Sequence, residues 1–345
     1  MSEPKKTSSR VFLFLRVAVV LGCVAGAVVW LTRDEMYVKV AGIFRQMNLW
    51  LFAAVLAGYV ITQALMGLRW WLLMRSQSVF VGLWPAVRLI FLGLFYNNFL
   101  PGAVGGDLVR AWYVTRHTEK RFEAALSVVM DRLIGLAGTV IMAVFCDLAL
   151  LRGEGGVIRR LGGAFGRYKW AALWFVIGAA ALCGAGLLIR PGRRMLRRVW
   201  AFVYEQGLRL MKRFGRATIL YCRSPLTVAT AFALTFVLQG IAVVGFWLLG
   251  RDMGIAAGAR YYFVFFPLTW VVGAVPVSIG GAGVVEGGLI WLFTVLAGVE
   301  WEKAFAIALL QRVVWMLTSL PGAGIHLSGA HLPKEFSIDG DERVN

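Results

Sequence analysis

Seven ionisable residues lie in stretches that are otherwise apolar: Arg69, Asp107, Arg110, Asp131, Arg132, Glu286 and Arg312. Ionisable groups inside membrane-length apolar runs are costly, and they mark functional sites unless a partner explains them. Four arginines against three carboxylates leave one cation in excess. A guanidinium without an internal partner suits a phosphate, which it grips through two parallel hydrogen bonds. Asp107 and Arg110 are three apart at the start of a half-helix and so share a face. Asp107 follows Gly105 and Gly106, a favourable N-cap place with the helix dipole behind it. Asp131 and Arg132 are adjacent and point about 100° apart on a helix, so one of them must find its partner elsewhere. Asp131 and Glu286 are also the groups able to carry a coupled proton or ion. The plain alternative is that these charges pair internally and only hold the helices together.

Metal and redox chemistry find little support. Cys23, Cys146, Cys183 and Cys222 are far apart and have no ligand or CxxC spacing. His117, His326 and His331 form no HExxH or comparable pattern. No metal, cofactor or catalytic residue is expected.

Composition says what must hold the charged residues. Hydrophobic residues make up 59% of the 345 and charged residues 16%, with a mean hydropathy of +0.73, against about 25% charged in a soluble domain. The net charge of +18 does not indicate nucleic acid. Lys and Arg collect between the apolar runs, above all in 190–225 with ten of them, and such loops set topology and meet anionic lipid.

Six segments are long and apolar enough to cross a bilayer: 11–32, 48–74, 124–151, 170–189, 226–250 and 303–322. The first resembles a signal peptide, but its apolar run continues past Cys23, so an uncleaved span is expected. Two more apolar regions, 84–114 and 261–299, are broken at NNFLPGAVGGDLVR (97–110) and AVPVSIGGAGVVEG (274–287). Pro removes a backbone donor and Gly weakens a helix, so neither region runs as one helix. Freed backbone groups cannot face lipid, and two half-length helices meeting at a break read as a re-entrant hairpin. The alternative is a kinked span plus a loop.

The breaks resemble one another. Pro101, Gly105 and Gly106 match Pro276, Gly280 and Gly281 in spacing, with Gly283 following, and Asp131-Arg132 matches Gln311-Arg312 after a short insertion. Each half, about 11–151 and 170–322, then reads as span, span, broken hairpin, span. Three crossings per half force the second to be inverted, an arrangement associated with transporters. The expected fold is therefore an all-α integral membrane protein. It has six full spans and two Pro/Gly-broken re-entrant hairpins, about eight membrane helices in one polytopic domain. Both termini fall in the cytoplasm with the basic loop 190–225, and a polar tail, 323–345, follows the last span. The five basic residues of 152–169, on the expected outer side, fit this topology poorly.

The segments LRWWLLM (68–74), NNFLPGAVGGDLVRA (97–111), MDRLIGL (130–136) and PVSIGGAGVVEG (276–287) resemble the lysylphosphatidylglycerol synthase transmembrane-region family. Its members are also called flippase-like or UPF0104-type membrane proteins, and the likeness runs over about 11–325. It implies a unit that moves a phospholipid or lipid-linked molecule between leaflets. Only polar residues 323–345 follow the last span, so the synthases' aminoacyl-transferase domain, and lysyl-lipid synthesis with it, is not carried over. The motif positions are Asn97, Asn98, Pro101, Gly105, Gly106, Asp107, Arg110, Asp131, Arg132, Pro276, Gly280, Gly281, Gly283 and Glu286. The glycines and prolines serve backbone geometry first.

The leading expectation is a non-enzymatic lipid flippase in a bacterial inner membrane. An anionic headgroup docks between the hairpins on Asn97, Asn98, Asp107, Arg110, Asp131, Arg132, Glu286 and Arg312. One alternative is an intramembrane enzyme acting on a lipid headgroup, with a carboxylate as base. Another is a non-transporting partner of a glycosyltransferase or lipid-modifying complex, docked through the basic segment.

Overall fold

A computed structural model describes residues 36–98, 105–116, 118–151, 157, 224–274 and 281–328. The expected spans 11–32 and 170–189, residues 190–223 of the basic loop, and the tail beyond Ser328 lie outside this set. So do Pro101, Pro276 and Gly280.

Every element among the described residues is an α-helix. In chain order these are α1 (Met36–Arg45), α2 (Leu49–Ser76), α3 (Leu83–Asn97), α4 (Gly105–Arg116), α5 (Arg121–Leu150), α6 (Pro225–Asp252), α7 (Ala259–Gly273), α8 (Val284–Val295) and α9 (Trp301–Leu327). Four of them, α2, α5, α6 and α9, are long and apolar enough to cross a membrane, and α3 and α8 are shorter apolar helices. The chain is a multi-pass membrane protein. Its outer surface carries large apolar side chains such as Trp50, Phe145, Leu148 and Leu226, as a protein solvated by acyl chains requires.

Helix ends follow local chemistry. The Asn48 side chain accepts from the N–H groups of Trp50 and Leu51 and starts α2, and Pro225 sits in the first turn of α6, where its missing donor costs nothing. The Asn48 N–H donates to Asp252 Oδ2 at 2.8 Å. Farther along, the Tyr59 hydroxyl donates to the Ala242 carbonyl. The start of α2 therefore meets the end of α6, and the two lie antiparallel.

The helices come in matched lengths. α2 and α6 each have 28 residues, α3 and α7 each 15, α4 and α8 each 12, and α5 and α9 have 30 and 27. Contacts match as well. α3 packs on α4 and on α9, while α7 packs on α8 and on α5; α4 packs on α5 as α8 packs on α9. Between α7, α8 and their neighbours lies an aromatic core. Phe246, Tyr262, Phe265 and Phe293 meet there edge to face, with ring centroids 4.8–5.4 Å apart where Tyr262 meets Phe246 and Phe293, a geometry that adds to simple burial.

Close helix approach depends on two glycines. A Cβ on Gly106 would lie 1.9 Å from the Gly93 carbonyl oxygen, where α4 crosses α3. A Cβ on Gly322 would lie 2.1 Å from the Phe91 oxygen, where α9 crosses α3. Small residues that let backbones approach are the usual device for packing helices in lipid.

Gly106→Ala and Gly322→Ala are each expected to cost at least about 1–3 kcal/mol, the range for forced overpacking. Gly240→Ala meets nothing within 4 Å and should stay within about 0.5 kcal/mol of the parent. Thermal unfolding of the detergent-purified variants reads the difference, and equal melting temperatures for all three would contradict this packing.

Candidate functional site

Asp131 sits at the centre of the charged cluster, fully buried on α5. Its Oδ1 accepts from Arg69 Nε of α2 at 2.9 Å, and its Oδ2 accepts from Arg110 Nη2 of α4 at 3.1 Å. Its backbone carbonyl takes a further bond from Arg69 Nη2. Arg69 Nη1 then donates to Thr235 Oγ1 on α6 at 2.8 Å. One carboxylate thus connects four helices. A Cβ at Gly135, one turn along α5, would stand 3.2 Å from the Arg69 guanidinium, so the glycine makes room for it.

Arg110 is enclosed more tightly than a ligand-gripping arginine would be. Besides Asp131, its Nη1 donates to Asp107 Oδ1 at 3.0 Å, and the guanidinium lies over the Trp70 ring, 4.3 Å from the centroid. A cation over an indole face is well stabilised when water is excluded. Trp70 is itself fixed, donating from Nε1 to Ser127 Oγ.

Arg132 is different. Its side chain keeps 31% of its surface exposed, against 3% and 4% for Arg110 and Arg69. Its contact with Asp107 is a single approach of Nη1 to Oδ2 at 3.3 Å. That oxygen accepts no hydrogen bond among the described residues, although it is buried. Three guanidiniums face two carboxylates across these pairs, leaving one net positive charge.

The cluster lines a cavity of about 240 Å³. Arg69, Asp107, Arg110, Asp131, Arg132 and Asn97 line it from the first half. From α7, α8, α9 and the turn before α8 come Phe266, Trp270, Val285, Trp315 and Gly281. Trp270 and Trp315 lie against one another with centroids 4.4 Å apart. The lining therefore combines a cationic cluster with aromatic rings.

The sequence-selected residues do not all meet here. Asn97 helps to line the cavity, and its side-chain oxygen accepts the Gly106 N–H at 2.7 Å, closing the start of α4 onto α3. Asn98 donates to Ser319 Oγ on α9 instead. Glu286 and Arg312 do not line the cavity and form an ion pair of their own. The other Glu286 oxygen accepts the Gly283 N–H at 2.7 Å. Gly281 and Gly283, at φ +74° and +81°, form a turn before α8 that only glycine enters without strain. Arg69, Trp70, Thr235, Trp270 and Trp315 join the site without having been assigned to it. Only Arg69 had a visible signal, as a cation in mid-span.

The family described as "Lysylphosphatidylglycerol synthase TM region" matches residues 13–322. A "UPF0104 membrane protein" of Methanothermobacter thermautotrophicus is 21% identical over 305 residues, covering 82% of this chain and 86% of the relative. No solved structure matches the chain.

Removing Asp131 should leave Arg69 and Arg110 buried with uncompensated charge. Asp131→Ala is expected to destabilise by about 3–5 kcal/mol, the range for breaking a buried pair on one side. Arg132→Ala removes only a single 3.3 Å approach from a partly exposed side chain and should cost less, about 1 kcal/mol. Unfolding of the two variants in the same detergent tests the ranking; a reversed order would remove Asp131 from the centre of the cluster.

Proposed function

The chain belongs to the lysylphosphatidylglycerol synthase transmembrane-region family, and from that premise we propose that it is a flippase-like lipid transporter rather than an enzyme. It moves a phospholipid or lipid-linked anionic molecule between the leaflets of a bacterial inner membrane. The carrying observation is the cavity lined both by a cluster with one uncompensated positive charge and by aromatic rings of α7 and α9. An anionic headgroup neutralises that charge, and the aromatic wall accepts apolar or ring-bearing parts of the ligand.

Within the selected set, Arg132 makes the direct contact. Arg69, Asp131 and Arg110 hold the cationic cluster in place. Asp107, Asn97 and Asn98 fix the first hairpin, and Glu286 with Arg312 serves the second. The hairpins are re-entrant, and the two halves, about 11–151 and 170–322, form an inverted repeat within one membrane domain. Matched helix lengths support this reading, as do the antiparallel packing of α2 on α6 and the exchanged contacts of α3 with α9 and α7 with α5. Inverted repeats of this kind carry substrate by alternate opening to the two faces. Both termini and the basic 190–225 loop lie in the cytoplasm.

The test is leaflet exchange of a fluorescent anionic phospholipid in proteoliposomes. The parent protein should accelerate exchange over empty vesicles, and Arg132→Ala should cut that acceleration by about tenfold or more, the loss expected for one charge-assisted bidentate contact. Full exchange by folded Arg132→Ala would mean that these charges only hold the bundle together.

A further inference from the structure

The cavity is lined by a second polar set that the charged network does not use: Thr62 and Gln63 of α2, Thr139 of α5 and Gln239 of α6. Helix register places this set away from the arginines. Gln63 precedes Arg69 by six residues, Gln239 follows Thr235 by four and Thr139 follows Asp131 by eight. These are steps of about 9, 6 and 12 Å along their helices. All lead the same way, since α2 and α6 are antiparallel, and Gln239 Nε2 donates to Thr139 Oγ1 at 2.7 Å, joining α6 to α5 at that level.

The set carries no charge, and Thr62, Gln63 and Thr139 are each only 6% exposed. The two hydroxyls donate to carbonyls of their own helices, Thr62 to Tyr59 and Thr139 to Gly135. The Gln63 amide is different. Its Nε2 stands 3.5 Å from Thr62 Oγ1, beyond the usual range of about 2.7–3.2 Å. Its oxygen accepts no hydrogen bond among the described residues, and neither does that of Gln239. Polar side chains that hold helices together in lipid bond one another across the interface. Thr139 and Gln239 do so; Gln63 touches only its own helix. A buried amide without partners is destabilising, and on a cavity wall a ligand supplies what it lacks.

We propose that Thr62, Gln63, Thr139 and Gln239 form a hydroxyl-recognition subsite, selecting lipids whose phosphate carries an uncharged polyol, a glycerol or a sugar, over those that carry an amine. This deepens the transport reading, on which it rests, by naming the substrate class. A hydroxyl both donates and accepts, so it meets an amide oxygen, an amide N–H and a threonine oxygen alike. An ammonium only donates, and it brings a positive charge to a cavity whose cluster already has one in excess. The carboxylates of the lining, Asp107 and Asp131, both face arginines, so an amine finds no unengaged acid among the described residues. Arg132 stands seven residues before Thr139 and so shares its face of α5. With the phosphate at Arg132, the rest of the headgroup lies toward the amides.

The experiment measures binding of short-chain lipids to the full-length protein in detergent. The probes are dioctanoylphosphatidylglycerol, dioctanoylphosphatidylpropanol, which keeps the charge but lacks the headgroup hydroxyls, and dioctanoylphosphatidylethanolamine. The parent should bind the glycerol probe about tenfold more tightly than the propanol probe, the scale of one or two neutral hydrogen bonds, and the ethanolamine probe more weakly than either. Gln63→Leu should bring the glycerol probe down to the level of the propanol probe and keep or raise the melting temperature, because the amide it removes holds no other helix. Thr62→Val, close to threonine in shape, should reduce the preference by about threefold. Equal binding of the glycerol and propanol probes by the parent overturns the subsite. So does a preference that survives in folded Gln63→Leu, or a marked fall of its melting temperature, which would make the amide a packing contact. Leaflet exchange by the parent separates selectivity from transport. Exchange with equal binding removes the subsite and leaves transport standing. A preference without exchange leaves the subsite and removes transport.

Discussion

Everything around the candidate site depends on Asp131 being charged and fully enclosed. A carboxylate in that position requires cations, and it takes them from two different helices, Arg69 on α2 and Arg110 on α4. Each arginine then brings a further demand. Arg69 needs Thr235 on α6 for another of its donors, and Arg110 needs the Trp70 face and Asp107. Lipid supplies no hydrophobic force to pull helices together, since acyl chains are as apolar as leucine. An ionic network centred on Asp131 is therefore an effective way to fix the mutual position of α2, α4, α5 and α6. The glycine crossing of α3 and α4 at Gly93 and Gly106 brings α4 in close, with Arg110 packed against Gly93.

The helices α2–α5 and α6–α9 match in order and length but do not share this network. Gln311 of α9 stands where Asp131 stands in α5, at the eleventh place of its helix. Its oxygen accepts from the Tyr59 hydroxyl on α2, so a neutral hydrogen bond replaces an ionic one. The place of Arg110 in α4 is taken in α8 by Leu289, fully buried among the aromatic side chains. Both sets of helices carry an outer acid–arginine pair. Among the described residues the inner network is found in α2, α4 and α5, with Thr235 of α6.

Much of the frame was legible in the sequence. Apolar runs located α2, α5, α6 and α9 to within a few residues, because membrane-length hydrophobicity is a strong local signal. Pro and Gly located the interruptions between α3 and α4 and between α7 and α8, because their backbone effects are also local. The charged residues stood out for the same reason. Their pairing was not legible. Arg69 and Asp131 are 62 positions apart, and Tyr59 and Gln311 are 252 apart, so nothing local joins them. Arg110 read as an available cation, because sequence cannot show that its guanidinium is already spent on Asp107, Asp131 and Trp70. The aromatic part of the cavity lining was invisible as well: Trp270 and Trp315 look like ordinary span residues until two helices bring them together.

The size of the cavity adds a constraint on what enters it. Pockets that enclose drug-sized ligands run to roughly 300–1,000 Å³, and about 240 Å³ is below that range. A headgroup and its phosphate fit this volume, but a pair of acyl chains does not. The chains of any lipid held here must therefore stay outside the bundle, against the apolar flanks that already face the bilayer. A lipid carrier of the kind proposed then has no need to take apolar surface out of lipid and return it. It has only to shelter the charged group, the one part of a lipid that cannot cross hydrocarbon unaided. One surplus positive charge beside a pocket of headgroup size meets that need.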